Sequence, residues 1–87
     1  MRRISFLPEA FEHLNHWASE NRKTHARIAG LIKDIGRNPF TGIGKPEPLK
    51  SDLKGLWSRR ITNEHRLVYK VSDDEILIYS CRFHYRQ

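Results

Sequence analysis

The stretch Leu56–Phe83, LWSRRITNEHRLVYKVSDDEILIYSCRF, decides how this chain folds. Its apolar, β-branched and aromatic residues fall into three runs, Leu56–Ile61, Arg66–Val71 and Ile76–Phe83. TNEH and SDDE, both short and polar, join them. Strand-like runs joined in this way form an antiparallel meander. Side chains alternate across a strand. On the last run Leu77, Tyr79, Cys81 and Phe83 share one face, and Ile76, Ile78, Ser80, Arg82 and His84 the other. On the middle run Leu67, Tyr69 and Val71 alternate with Arg66, Val68 and Lys70. The first set of each is expected to face a helical layer. The second set would gather Arg66, Arg82 and His84 on the open face.

Upstream, RRISFL (Arg2–Leu7) alternates as a short strand, with Ile4 and Phe6 on one face. Pro8 suits the first position of a helix. In PEAFEHLNHWASEN the apolar stripe is Ala10, Phe11, Leu14, Trp17 and Ala18, at helical spacing. Glu9 and Glu12 near its start agree with the helix dipole. A second helix carries Ile28, Leu31, Ile32 and Ile35, and Gly36, Asn38 and Pro39 end it. The break near Ser19–Arg22 is short, so the helices form an antiparallel hairpin. The order is βααβββ: one α+β domain spanning 1–87, a helical hairpin packed on one face of an antiparallel meander sheet.

Composition narrows the function. The 87 residues include sixteen Lys plus Arg against ten Asp plus Glu, a formal charge of +6 that suits a polyanionic partner such as RNA, DNA or an acidic protein. No apolar run approaches the roughly 20 residues of a membrane span, and no secretory h-region follows the N-terminus. A membrane partner is not expected, and the chain reads as cytoplasmic. The single cysteine, Cys81, fits a reducing compartment and an apolar burial site better than a nucleophile. His13 and His16 are i, i+3 on one helix with no third ligand apparent, so zinc is not expected. No cofactor motif is present.

Pro39–Lys54 is a long loop with three of the four prolines and Gly42 and Gly44. Long ordered loops in compact domains are often functional. Within it Glu47 stands between Pro46 and Pro48. Residues before proline are pushed toward extended backbone, which should stiffen Lys45 and Glu47. A pinned acid, Arg66 at a strand start and His84 near the C-terminus are the parts that RNA cleavage by its own 2′-OH needs. A carboxylate takes the 2′ proton, an imidazole protonates the departing oxygen, and a guanidinium matches the phosphate. Each also has an ordinary reading: a solvated acid, a strand charge, an inert terminal histidine. Trp57 and Tyr69 read as packing residues.

GKPEPLK, then WSRRIT with EHRLVY, then CRFHY, are similar in sequence to the YoeB/Txe toxins of the RelE/ParE superfamily; the helices match only in pattern. The resemblance covers nearly the whole chain. It implies a RelE/ParE-like fold and an mRNA interferase, the toxin of a type II toxin–antitoxin system that cuts mRNA in the ribosomal A site. It implies Glu47 as general base, Arg66 as phosphate stabiliser, His84 as general acid and Tyr85 as a positioning or stacking group. Lys45, Lys50, Arg60 and Arg82 become candidates for RNA or ribosome contacts. The implied partners are mRNA, the ribosome and an antitoxin with an acidic, disordered C-terminal segment. Homodimer formation is left open. Two departures stand out: Arg86 and Gln87 follow the terminal His-Tyr, and Phe83, expected in the core, replaces a common tyrosine.

Two rival readings use the same residues differently. A non-catalytic ribosome- or RNA-binding module needs the basic face but not Glu47. A ParE-like gyrase poison would have no need of the Glu–Arg–His set. A degenerate toxin retained only as an antitoxin partner is a third.

Overall fold

The computed structural model describes residues 2–84. Strand β1 (Arg3–Phe6) leads into helix α1 (Pro8–Glu20), and helix α2 (Arg22–Arg37) follows after the single residue Asn21. Then come a two-residue strand β2 (Glu47–Pro48), a 3-10 turn (Ser51–Leu53), and strands β3 (Trp57–Arg60), β4 (Arg66–Val71) and β5 (Glu75–Ser80). The five strands form one sheet in the order β1-β5-β4-β3-β2. β2 to β5 pair antiparallel with their neighbours, so the meander stands as expected. β1 pairs parallel with β5, Ile4 opposite Ile76 and Phe6 opposite Ile78, which makes the sheet mixed. β2 is a strand that composition did not reveal, because two prolines flank and occupy it.

Local sequence explains each helix. Pro8 starts α1 and Glu9 lies in its first turn. The Asn21 side chain accepts the N–H of Thr24 and caps α2, an arrangement worth about 1 kcal/mol. From α2, Ile28, Leu31 and Ile35 are fully buried against Leu67, Tyr69, Ile76, Ile78 and Cys81 of the sheet side. Burial of each such side chain contributes roughly 1.5–3 kcal/mol.

The buried face of α1 differs from the apolar stripe. It is Ala10, His13 and Trp17, whereas Phe11 is 55% exposed and Ala18 is exposed. His13 turns inward because its Nδ1 accepts the N–H of Cys81 at 3.2 Å. The adjacent Trp17 indole donates to the Cys81 carbonyl at 2.8 Å. Buried polar groups are tolerated where they are hydrogen-bonded, and apolar periodicity cannot show that.

The face assignment of β5 is corrected as well. Ile76 and Ile78 are fully buried in the core, while Leu77 and Tyr79 are only half-buried. Tyr69 stands opposite Ile78 but Val68 opposite Ser80, so Tyr79 is an extra, bulged residue. A bulge breaks the period-two alternation. Ile76 and Ile78 point inward before it, and Cys81 points inward after it. Phe83, expected in the core, is 55% exposed and has left strand geometry at φ 68°.

Candidate active site

The loop that carries Glu47 is held by an arginine. Arg59 occupies the core side of β3, opposite Leu67, and is fully buried. Its Nε donates to the Tyr69 hydroxyl at 3.2 Å. Its Nη1 donates to the Asp34 carboxylate at 2.5 Å and to the Ile43 carbonyl at 3.1 Å. Its Nη2 donates to the carbonyls of Asn38 at 2.5 Å and Thr41 at 2.9 Å. Tyr69 in turn donates to the Pro39 carbonyl at 2.7 Å. One planar fork of donors thus ties α2, the sheet and the loop together. The Arg59 hydrogen bond, helped by the Ile43 N–H, holds the Asp34 carboxyl below its usual range. Burial pushes the Tyr69 hydroxyl up.

The loop glycines serve this anchor. Gly42 (φ 123°) lies so close to Asp34 that a Cβ there would collide with its carboxylate. Gly44 (φ 80°) would place a Cβ 2.8 Å from Leu31 and 3.2 Å from Arg59. Its carbonyl accepts the Arg60 N–H at 2.7 Å. Lys45 has φ 53°, so the residue before Pro46 is left-handed rather than extended as expected. The chain must turn there to bring Glu47 alongside β3.

Register then sets the open face. Glu47 is opposite Ser58, Ser58 opposite Val68, and Val68 opposite Ser80, one row across four strands. Arg60 is opposite Arg66 in the next row. Glu47 and Arg66 therefore share a face, two strands and one row apart, about 10 Å across the sheet and about 7 Å along it. That gap suits side chains converging on a phosphate from two sides. Arg66 is 9% exposed. Its Nη1 donates to the Thr62, Asn63 and His65 carbonyls at 2.7, 3.2 and 3.1 Å, so the β3–β4 turn aligns it.

His84 is exposed. It follows Phe83, whose carbonyl accepts the Arg66 N–H at 3.1 Å, so the backbones of the two candidate residues meet. The segment is held on its other side by His65, whose Nδ1 accepts the Phe83 N–H at 2.7 Å. The His65 ring packs edge-on to Trp17 at 4.8 Å. Arg82 places its guanidinium 4.5 Å over the Phe83 ring, with its Nε shut off from solvent and unbonded. Lys45, Lys50 and Arg60 are exposed around Glu47. Tyr85, Arg86 and Gln87 lie outside the described residues.

The anchoring roles of Arg59, His13 and His65 are not read from the sequence, where His13 is weighed only as a zinc ligand. For Arg59 a signal existed, since Trp57, Arg59 and Ile61 share one face by alternation. Among the described residues, no group of three or more His, Cys, Asp or Glu gathers as a metal site. Among the described residues no helix is long and apolar enough to cross a membrane. Burial pushes the Cys81 thiol up to about 12, so it is a protonated core group.

The family described as the YoeB-like toxin of bacterial type II toxin-antitoxin systems matches residues 6–85. Toxin YoeB of Streptomyces coelicolor is 55% identical over 83 residues, covering 95% of this chain and 99% of that protein. Among solved structures, the YoeB/ParE toxin from Agrobacterium tumefaciens superposes with a TM-score of 0.92 at 40% identity, covering 98% of this chain and 100% of that one. The YoeB of Staphylococcus aureus has been solved as a dimer (TM-score 0.90, 49% identity, 97% and 98% covered). It has also been solved as a YoeB-YefM complex (TM-score 0.89, 50% identity, 98% and 99% covered). Sequence, fold and length agree over nearly the whole chain, which belongs to the YoeB-like toxins of the RelE/ParE superfamily.

Proposed function

We propose that this toxin is a ribosome-dependent endoribonuclease that cleaves mRNA in the A site by attack of a 2′-OH on the adjacent phosphate. Glu47 removes the 2′ proton. The 2′ oxygen bonds to phosphorus as the bond to the 5′ oxygen breaks, and His84 protonates that leaving oxygen. Arg66 offsets the charge that builds on the phosphoryl oxygens. The products are a 2′,3′-cyclic phosphate and a free 5′-OH. General acid–base help is worth roughly 10²–10⁴-fold per group, and a fixed cation adds electrostatic stabilisation.

The observation that carries this reading is the register that sets Glu47 one row from Arg66 on a shared face, with the His84 segment bonded to Arg66. Tyr85 assists by stacking on a base. Lys45, Lys50, Arg60 and Arg82 contact RNA or ribosome. An antitoxin with an acidic segment covers the same basic face, as the YefM complex of the Staphylococcus aureus relative suggests. Self-association follows the dimer of that relative, and the cytoplasm is where such a toxin would act.

The test is cleavage of end-labelled mRNA on programmed ribosomes, beside the same mRNA free in solution. Wild type should cut on ribosomes, and Glu47→Gln should lose at least about 100-fold in rate with an unchanged Tm. Equal cutting by both proteins would remove Glu47 from the chemistry. No cutting by folded wild type would favour the binding-module reading.

A further inference from the structure

A cavity of about 400 Å³ opens beside the candidate site, lined by Asp52, Leu53, Lys54, Leu56, Lys70 and Tyr79. Its place in the sheet is set by register. Lys70 is two residues beyond Val68 on β4, and Val68 stands in the row of Glu47. The Lys70 end of the cavity therefore lies one row, about 7 Å along the strands, past Glu47 and two strands, about 10 Å, across from it, two rows from Arg66 on the same strand. A strand of RNA lying over Arg66 and Glu47 would run into it.

The lining suits one nucleotide. Tyr79 presents an aromatic ring, Leu53 and Leu56 an apolar wall, and Lys54 and Lys70 two cations. Asp52 can accept from a base N–H. Tyr79 follows the inward-facing Ile78 and is the extra residue of the β-bulge, after which Cys81 returns to the core. Bulges are found beside active sites, where they re-aim a side chain. The core has no use for this one, since Ile78 and Cys81 fill it on either side.

We propose that this cavity is a nucleotide subsite for single-stranded RNA, holding the residue next to the scissile phosphate. Tyr79 stacks on its base, and Lys54 and Lys70 neutralise its phosphate. The proposal rests on the ribonuclease reading and names a further part of that site. Base–aromatic stacking is worth roughly 1–3 kcal/mol, and each lysine–phosphate contact adds a salt-dependent increment.

The test uses the full chain on programmed ribosomes, with wild type, Tyr79→Ala, Tyr79→Phe and Lys54→Ala/Lys70→Ala. Tyr79→Ala should raise KM about tenfold with little change in kcat, as loss of a ~1.4 kcal/mol stacking contact requires. Tyr79→Phe, which keeps the ring, should recover most of that loss. The double lysine variant should flatten the salt dependence of binding by about one to two contacts. In parallel, mRNA with a 2′-deoxy cleavage nucleotide and a flanking 4-thiouridine should photocrosslink to Tyr79. Unchanged KM in Tyr79→Ala and in the double variant, with wild type active, would overturn the subsite. So would crosslinking confined to other residues. Because the 2′-deoxy mRNA reports binding without cleavage, a crosslink to Tyr79 in a chain that cuts nothing would sink the ribonuclease reading alone.

Discussion

His65 accepts the backbone N–H of Phe83 through Nδ1 at 2.7 Å. A side chain from the β3–β4 turn thereby holds the segment that carries His84. The same turn aligns Arg66 through its carbonyls. One five-residue connection thus positions two of the three residues proposed for chemistry.

Replacing His65 by Leu should therefore cost about 1 kcal/mol for the lost bond and lower Tm by about 4–8 °C. It should also slow ribosomal mRNA cleavage. His65→Asn keeps an acceptor near the position of Nδ1 and should restore both. The Phe83 amide gives an independent readout, exchanging faster with solvent in the Leu variant only. Equal exchange in all three proteins would show that the bond does not hold the segment.

His13 makes stability depend on pH. Burial lowers its pKa from the ordinary histidine value of 6.5, opposed by Glu9 and Glu12 and assisted by Arg82 and His16. Its Nδ1 accepts the Cys81 N–H only while that atom is unprotonated. The unfolded chain takes up this proton more readily than the native one. Stability from this group is thus complete above pH 6.5 and falls as pH drops through 6.5 toward the lower native value. Thermal unfolding across pH 5 to 8 should show that slope, and His13→Asn should flatten it.

Arg59→Met should unfold the loop anchor. Three carbonyls, of Asn38, Thr41 and Ile43, lose charged hydrogen bonds at once. At about 1–2 kcal/mol each the loss is roughly 3–6 kcal/mol, a fall in Tm of about 12 °C or more. Arg59→Lys should recover little, because a single ammonium cannot span the same acceptors. A Tm within a few degrees of wild type would mean that the loop holds without its arginine. Asp34, its carboxyl held low by the same contact, adds stability above its ordinary 3.8 that fades as pH falls through the native value.

Gly44→Ala should destabilise by about 1–3 kcal/mol. The residue is left-handed at φ 80°, and the new methyl would meet Leu31 at 2.8 Å. Gly30→Ala is the control, since a Cβ there meets no neighbour within 4 Å and alanine favours a helix by about 1 kcal/mol. Urea unfolding of the two variants should move in opposite directions.

Much of this protein was legible along the chain. The amino acids alone determined the two helices, the order of the meander strands and the extended backbone of Glu47 between its two prolines. Those features depend on periodicity and on prolines acting on their neighbours. The family likeness then attached roles to Glu47, Arg66, His84 and Tyr85, and the first three lie in or beside one sheet face.

Tertiary structure decided the rest. The inward turn of His13 needs an amide 68 residues away, and the burial of Arg59 needs a carboxylate 25 residues away. Alternation with Trp57 and Ile61 hints at the face of Arg59, but nothing local shows the partners that bury either residue. The bulge at Tyr79 is a mismatch of register between β4 and β5. It inverts the expected faces of Ile76, Ile78, Leu77 and Tyr79 without altering the composition of the strand. Local pattern specifies which segments become helix or strand. Which face is buried, and which charge goes inside, depends on hydrogen-bond partners that only the folded chain brings together.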